Sequence, residues 1–168
     1  MFLKKRFLPV VVAAFLMTSC ATSNAESDLA RAQEAAAKVC LDARAQLQTE
    51  SDLSRIVIKQ CEAQTNDEGE VGFVLALNDY LEWGLVGTKS LEDMIFTIPL
   101  GLLAISFAKS GVEPGVFDRL LFFSNDTSQT VYDINPKDLR EVLTVKGEAD
   151  AKQALKDLRS KMEITSID

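Results

Sequence analysis

Two cysteines set the tightest limit on how this chain can fold. Cys40 and Cys61 flank a polar break at Gln48 to Ser51, and each lies equally far from the point between Glu50 and Ser51. The segment before the break, Ser27 to Gln48, carries Leu29, Ala32, Ala36, Val39, Ala43 and Leu47 at helical spacing, with Ser27 or Asp28 as a cap. The segment after it, Ser51 to Gln64, sets Leu53, Val57, Cys61 and Gln64 on one helical face, and Thr49 with Asp52 offers a capping-box-like start. In an antiparallel helical hairpin, residues equidistant from the turn face each other. The spacing therefore predicts a disulfide stapling an N-terminal helical hairpin, if the two Cα atoms come within about 4.4–6.8 Å. Such a closure stabilises by roughly 3 kcal/mol in the chain-entropy description. The alternative is two buried free thiols. Either role is structural, because a redox-active pair usually sits as C-x-x-C.

A disulfide needs an oxidising compartment, and the first residues supply one. Lys4, Lys5 and Arg6 form a basic start, Phe7 to Met17 is apolar apart from Pro9, and small residues follow. This is the layout of a secretory signal, and its apolar run is about half the roughly 20 residues of a spanning helix. The stretch Leu16-Met17-Thr18-Ser19-Cys20 resembles the lipobox of bacterial lipoproteins, with Met17 where Leu is usual. That resemblance covers the signal alone. It implies that Cys20 becomes a lipidated N-terminus, and Ala21 after it implies the outer membrane, facing the periplasm. The alternative is cleavage near Ala25 and a soluble periplasmic protein. The expected organisation is a signal over 1–19, a lipidated Cys and tether over 20–26, and one domain over 27–168.

Charge narrows the function classes. Once Lys4, Lys5 and Arg6 leave, 15 Lys+Arg remain against 25 Asp+Glu, a net charge of −10. Such a surface repels nucleic acid, so no nucleic-acid partner is expected. The chain has no histidine. That excludes Ser-His-Asp and Cys-His nucleophiles and His-ligated metals. No cofactor or metal ligand set is read, and no enzymatic activity is expected.

The middle of the chain is apolar. After the turn-like Thr65 to Gly69, Val71 to Leu85 reads as a helix with Val74, Leu77, Leu81 and Leu85 in line. Met94 to Ala108 has no charge and is broken by Pro99 and Gly101; Val116, Phe117 and Leu120 to Phe123 form a second apolar patch. Together they predict a central apolar helical hairpin. It admits three readings: closed core, a pocket for an apolar ligand such as an acyl chain, or a surface dipping into the bilayer. Gln129 to Ile134 reads as a short extended piece. Asn135-Pro136 starts a helix that Gly147 closes, and Glu148 to Met162 is the last helix. The sum is an all-α compact bundle of six or seven helices.

Two motifs fail on inspection. Gly84 to Ser90 lacks the glycines of a P-loop, since Trp83 and Thr88 stand in their places. Asn66 to Glu70 lacks the distal glutamate of a calcium loop, because Leu75 occupies that position. Trp83, beside Tyr80, is either a core aromatic or a stacking surface. The expectation is a lipid-anchored envelope protein that binds another protein or serves a structural role, with an apolar-ligand carrier or sensor as the alternative. Trp83, Ile98, Leu102, Phe107, Phe117 and Leu121 are the candidate ligand or partner surface.

Overall fold

The computed structural model describes residues 22–83, 91–124 and 130–166. Among them are four α-helices and a sheet of five strands. The fold is α+β, and the all-α bundle expected from the sequence is corrected. The helices are α1 (Thr22–Thr49), α2 (Leu91–Ser110), α3 (Pro136–Thr144) and α4 (Glu148–Lys161). The strands are β1 (Ile58–Thr65), β2 (Val71–Leu77), β3 (Arg119–Ser124), β4 (Thr130–Ile134) and β5 (Glu163–Ser166). They lie in sequence order across the sheet, with β2 and β3 parallel through the α2 crossover and every other pair antiparallel.

The helices that kept a clear 3.6-residue period form as expected. In α1 the small stripe Ala32, Ala36, Val39 and Ala43 is buried, which brings its backbone close to the sheet. α1 begins at Thr22, so residues 22–26 of the expected tether are helical. α2 contains Pro99 and runs on to Ser110. Asn135 caps α3 by accepting from the Lys137 N–H at 3.0 Å, with Pro136 at the first helical position. Gly147 does not close α3, which ends at Thr144; it precedes α4 with φ +104°.

Three expected helices, or parts of them, are strands. Ser51 to Gln64 is a 3-10 turn (Ser51–Leu53) followed by β1. The described part of the expected helix Val71 to Leu85, which reaches Trp83, is β2 and then a 3-10 turn at Tyr80–Trp83. The second arm of the central apolar hairpin is a 3-10 turn at Pro114–Val116 and then β3. The cause is burial on both faces. β2 (VGFVLAL) and β3 (RLLFFS) are central, so the in–out alternation that marks a strand is masked by apolar residues on both sides. Thr65 to Gly69 does turn the chain: Gly69 N–H donates to Asn66 O at 3.0 Å, and Gly69 sits at φ +83°. Asn66 Oδ1 accepts from the N–H groups of Glu68 and Glu70, so its side chain builds the hairpin.

The Cys40–Cys61 disulfide is present, with Cα atoms 5.8 Å apart. It ties α1 to β1 rather than helix to helix. The expected helical hairpin is therefore replaced by a helix stapled onto the edge of a sheet. One core holds the assembly together. Phe73 of β2 meets Phe107 of α2 and Phe117, with ring centroids 5.5 and 5.4 Å away. Phe122 stacks on Tyr132, and Phe96 of α2 meets Tyr132 edge-on. Leu139 of α3 and Leu158 of α4 join the same cluster. All four helices thus lie on one face of the sheet. No described helix is long and apolar enough to cross a membrane.

Candidate functional site

The residues singled out from the sequence are divided by the sheet. Leu102, Phe107 and Phe117 are buried in the core, and Ile98 packs against it. Trp83 is only 2 % exposed. Its indole N–H donates to the backbone and side-chain oxygens of Asn78 at 3.1 and 3.0 Å. Asn78 is itself a buried hub: Oδ1 also accepts from Val57 N–H, while Nδ2 donates to Arg55 O and to Glu82. Trp83 is thus a satisfied core aromatic. Leu121 alone points the other way. Cys20 and the residues at 84–90 lie outside the described residues.

Strand alternation defines what stands beside Leu121. Register pairs Glu62 with Val74 and Val74 with Leu121, then Leu121 with Asp133 and Asp133 with Glu163. Neighbouring rows pair Gln60, Ala76, Phe123, Val131 and Thr165, and then Gln64, Gly72 and Arg119. These residues form the face opposite the helices. Its middle is apolar: Val74, Ala76, Leu121, Phe123 and Val131. Val74 is only 4 % exposed, yet it and its neighbours stand apart from the core cluster. They form a second apolar layer with no described helix over it.

One end of this face is charged. Arg119 donates its Nε–H to Asp133 Oδ2 at 2.7 Å and a second N–H to the same oxygen. Arg119 Nη1 lies 3.9 Å from Glu70 Oε2, which also accepts from Asn66 Nδ2 at 2.9 Å. The hydrogen bond to Asp133 raises the Arg119 guanidinium above its ordinary value; partial burial opposes this, and the charges of Asp133, Glu70 and Glu163 add to it. Along β1, Glu62 Oε1 accepts from Gln60 and Gln64 at 2.8 and 2.9 Å. Between these groups is a shallow depression of about 190 Å³, lined by Gln64, Thr65, Asn66, Glu70, Gly72, Val74, Arg119 and Leu121. Gly72 is part of its floor, where an added Cβ would make an ordinary contact with the Leu121 side chain at 3.7 Å.

An apolar strip beside fixed, paired charges supplies contact area and register. Among the described residues, no three His, Cys, Asp or Glu side chains converge to hold a metal ion. Apart from Leu121, the face was not picked out from sequence. Its signal was the alternation itself: Glu62 and Gln64 against Cys61 and Ala63, and Arg119, Leu121 and Phe123 against Leu120 and Phe122. That signal has meaning only once β1 and β3 are taken as strands. Comparison with protein-family models, with curated proteins and with solved structures gives no match.

Proposed function

We propose that this protein is an outer-membrane lipoprotein, anchored through Cys20 and facing the periplasm, that binds another protein through the face of its sheet opposite the described helices. It acts by binding rather than by catalysis. One observation carries the reading: Val74, Leu121, Phe123 and Val131 make an apolar cluster separate from the core, on a face that no described helix covers. Apolar sheet faces of this kind mark interaction sites. The side chains that suggested an acyl pocket, Leu102, Phe107 and Phe117, are spent in the core, so the ligand-carrier alternative loses its motive. The signal-like start and the disulfide agree with an exported protein.

Site-specific photo-crosslinking in intact cells tests this. A photoreactive residue replaces Phe123 on the open face or Leu41, which is exposed on α1. Crosslinks to a protein from position 123 and not from position 41 are expected. No crosslink from 123, or equal crosslinking from both, would defeat the proposal. Incorporation of radiolabelled palmitate, lost in Cys20→Ala, checks the anchor independently.

A further inference from the structure

We infer that the partner segment docked on the helix-free face is basic, with apolar side chains interleaved among its lysines or arginines. This rests on the reading of that face as a binding surface and adds the chemistry of what binds. The argument is charge complementarity. Strand alternation brings Glu62, Asp133 and Glu163 to this face in register, and Glu70 joins them at the hairpin end. Against these four carboxylates stands one guanidinium, Arg119, already paired with Asp133 and beside Glu70. At a bulge between Ile58 and Gln60, exposed Lys59 shares with Gln60 the position opposite Ala76 and adds one cation at that end of β1. The face still carries net negative charge, with Glu62 on β1 and Glu163 on β5 flanking its apolar strip. A partner that covers Val74, Leu121 and Phe123 must bring its own edges against those carboxylates. Acidic edges would be repelled, neutral edges would desolvate Glu62 and Glu163 with no countercharge brought to them, and cationic edges match them.

The same reasoning disfavours two other occupants. A second copy of this chain would set acidic flank against acidic flank. Anionic lipid would meet the same repulsion. The depression floored by Gly72 fits the partner better: Val74 and Leu121 give an apolar bed for the aliphatic stem of a long side chain, and Gln64 and Glu70 offer acceptors beside it.

Fluorescence anisotropy with the full mature protein in mild detergent, disulfide intact, tests the inference. Two labelled peptide probes are compared: one alternating Leu and Lys, the other alternating Leu and Glu. The Lys probe is expected to bind at least about tenfold more tightly, with a salt-sensitive affinity. The exposed pair Glu62→Gln/Glu163→Gln is expected to weaken it about threefold or more, while the α1-side control Glu34→Gln/Glu50→Gln leaves it unchanged. Equal binding of both probes, tighter binding of the Glu probe, or equal loss in the control pair would overturn the inference. Leu121→Glu is expected to abolish binding, and the glutamine variants keep the test open if that protein does not fold. Crosslinking from position 123 separates the two claims. A crosslinked partner whose contact segment is acidic or uncharged leaves the binding face standing and overturns the basic partner. A crosslink only to a second copy, or only to lipid, overturns both claims.

Discussion

The two faces of this sheet are built from the same strands and serve different ends. On the covered face, Phe73, Leu75, Leu120, Phe122 and Ile134 are fully or almost fully buried against four helices. On the other, one residue along in each strand, Leu121, Phe123 and Val131 are half-buried with no described helix above them. The polar groups differ in the same way. Under the helices, Asn78 makes bonds with four partners, and Gln46 Nε2 of α1 donates to Ser106 Oγ of α2 at 3.1 Å. On the open face Glu62, Arg119 and Glu163 are exposed, and the Asp133 carboxylate, 13 % exposed, is paired with Arg119. The first face is closed by four helices, and no described helix lies over the second.

Four substitutions sharpen or break that comparison. The largest effect is expected from Cys40→Ser/Cys61→Ser, because the bond holds α1 on the covered face. The closed loop predicts a loss of about 3 kcal/mol in unfolding free energy by denaturant titration. Next is Asn78→Ala, which leaves the Val57 N–H without its acceptor and the buried Trp83 indole with only the backbone oxygen of residue 78; about 2 kcal/mol is expected. Tryptophan fluorescence should report the change at Trp83. Ser106→Ala removes the acceptor of Gln46 and is expected to cost about 1 kcal/mol in thermal unfolding. The smallest effect belongs to the open face. Arg119→Met breaks the pair with Asp133, yet exposure limits the loss to about 0.5 kcal/mol. A loss above about 2 kcal/mol for Arg119→Met would mean that this ion pair is structural, against the comparison.

How much of this was legible depends on period. α1 and α4 were read with nearly their observed bounds, α2 was read as helical but broken at Pro99 and Gly101 where it runs on unbroken, and Asn135-Pro136 marked the start of α3. β4 was also read as extended. β2 and β3 were not, because apolar residues on both faces erase the period of two. Length was the remaining clue: β2 has 7 residues between two turn signals, which suits a strand and is short for a helix. β1 did alternate, with Cys61 and Ala63 inward and Glu62 and Gln64 outward, but four residues at helical spacing concealed it. The disulfide was correct while its setting was not. Export and closeness along the chain argued for the bond; the mirror symmetry about Gln48 to Ser51 belonged to a helical hairpin that does not form. Of the candidate surface, Trp83, Leu102, Phe107 and Phe117 are buried in the core, where large apolar side chains are ordinarily used, and Leu121 lies on the other face.

The most direct test puts one residue type, changed in one way, on both faces. Phe73 of β2 and Phe123 of β3 lie on neighbouring strands and opposite sides of the sheet. Phe73→Thr and Phe123→Thr are compared by equilibrium unfolding of the purified protein. The account predicts a loss of about 3–5 kcal/mol for Phe73→Thr and about 1 kcal/mol for Phe123→Thr. Equal losses would mean that the open face is a second structural core rather than a surface kept for a partner.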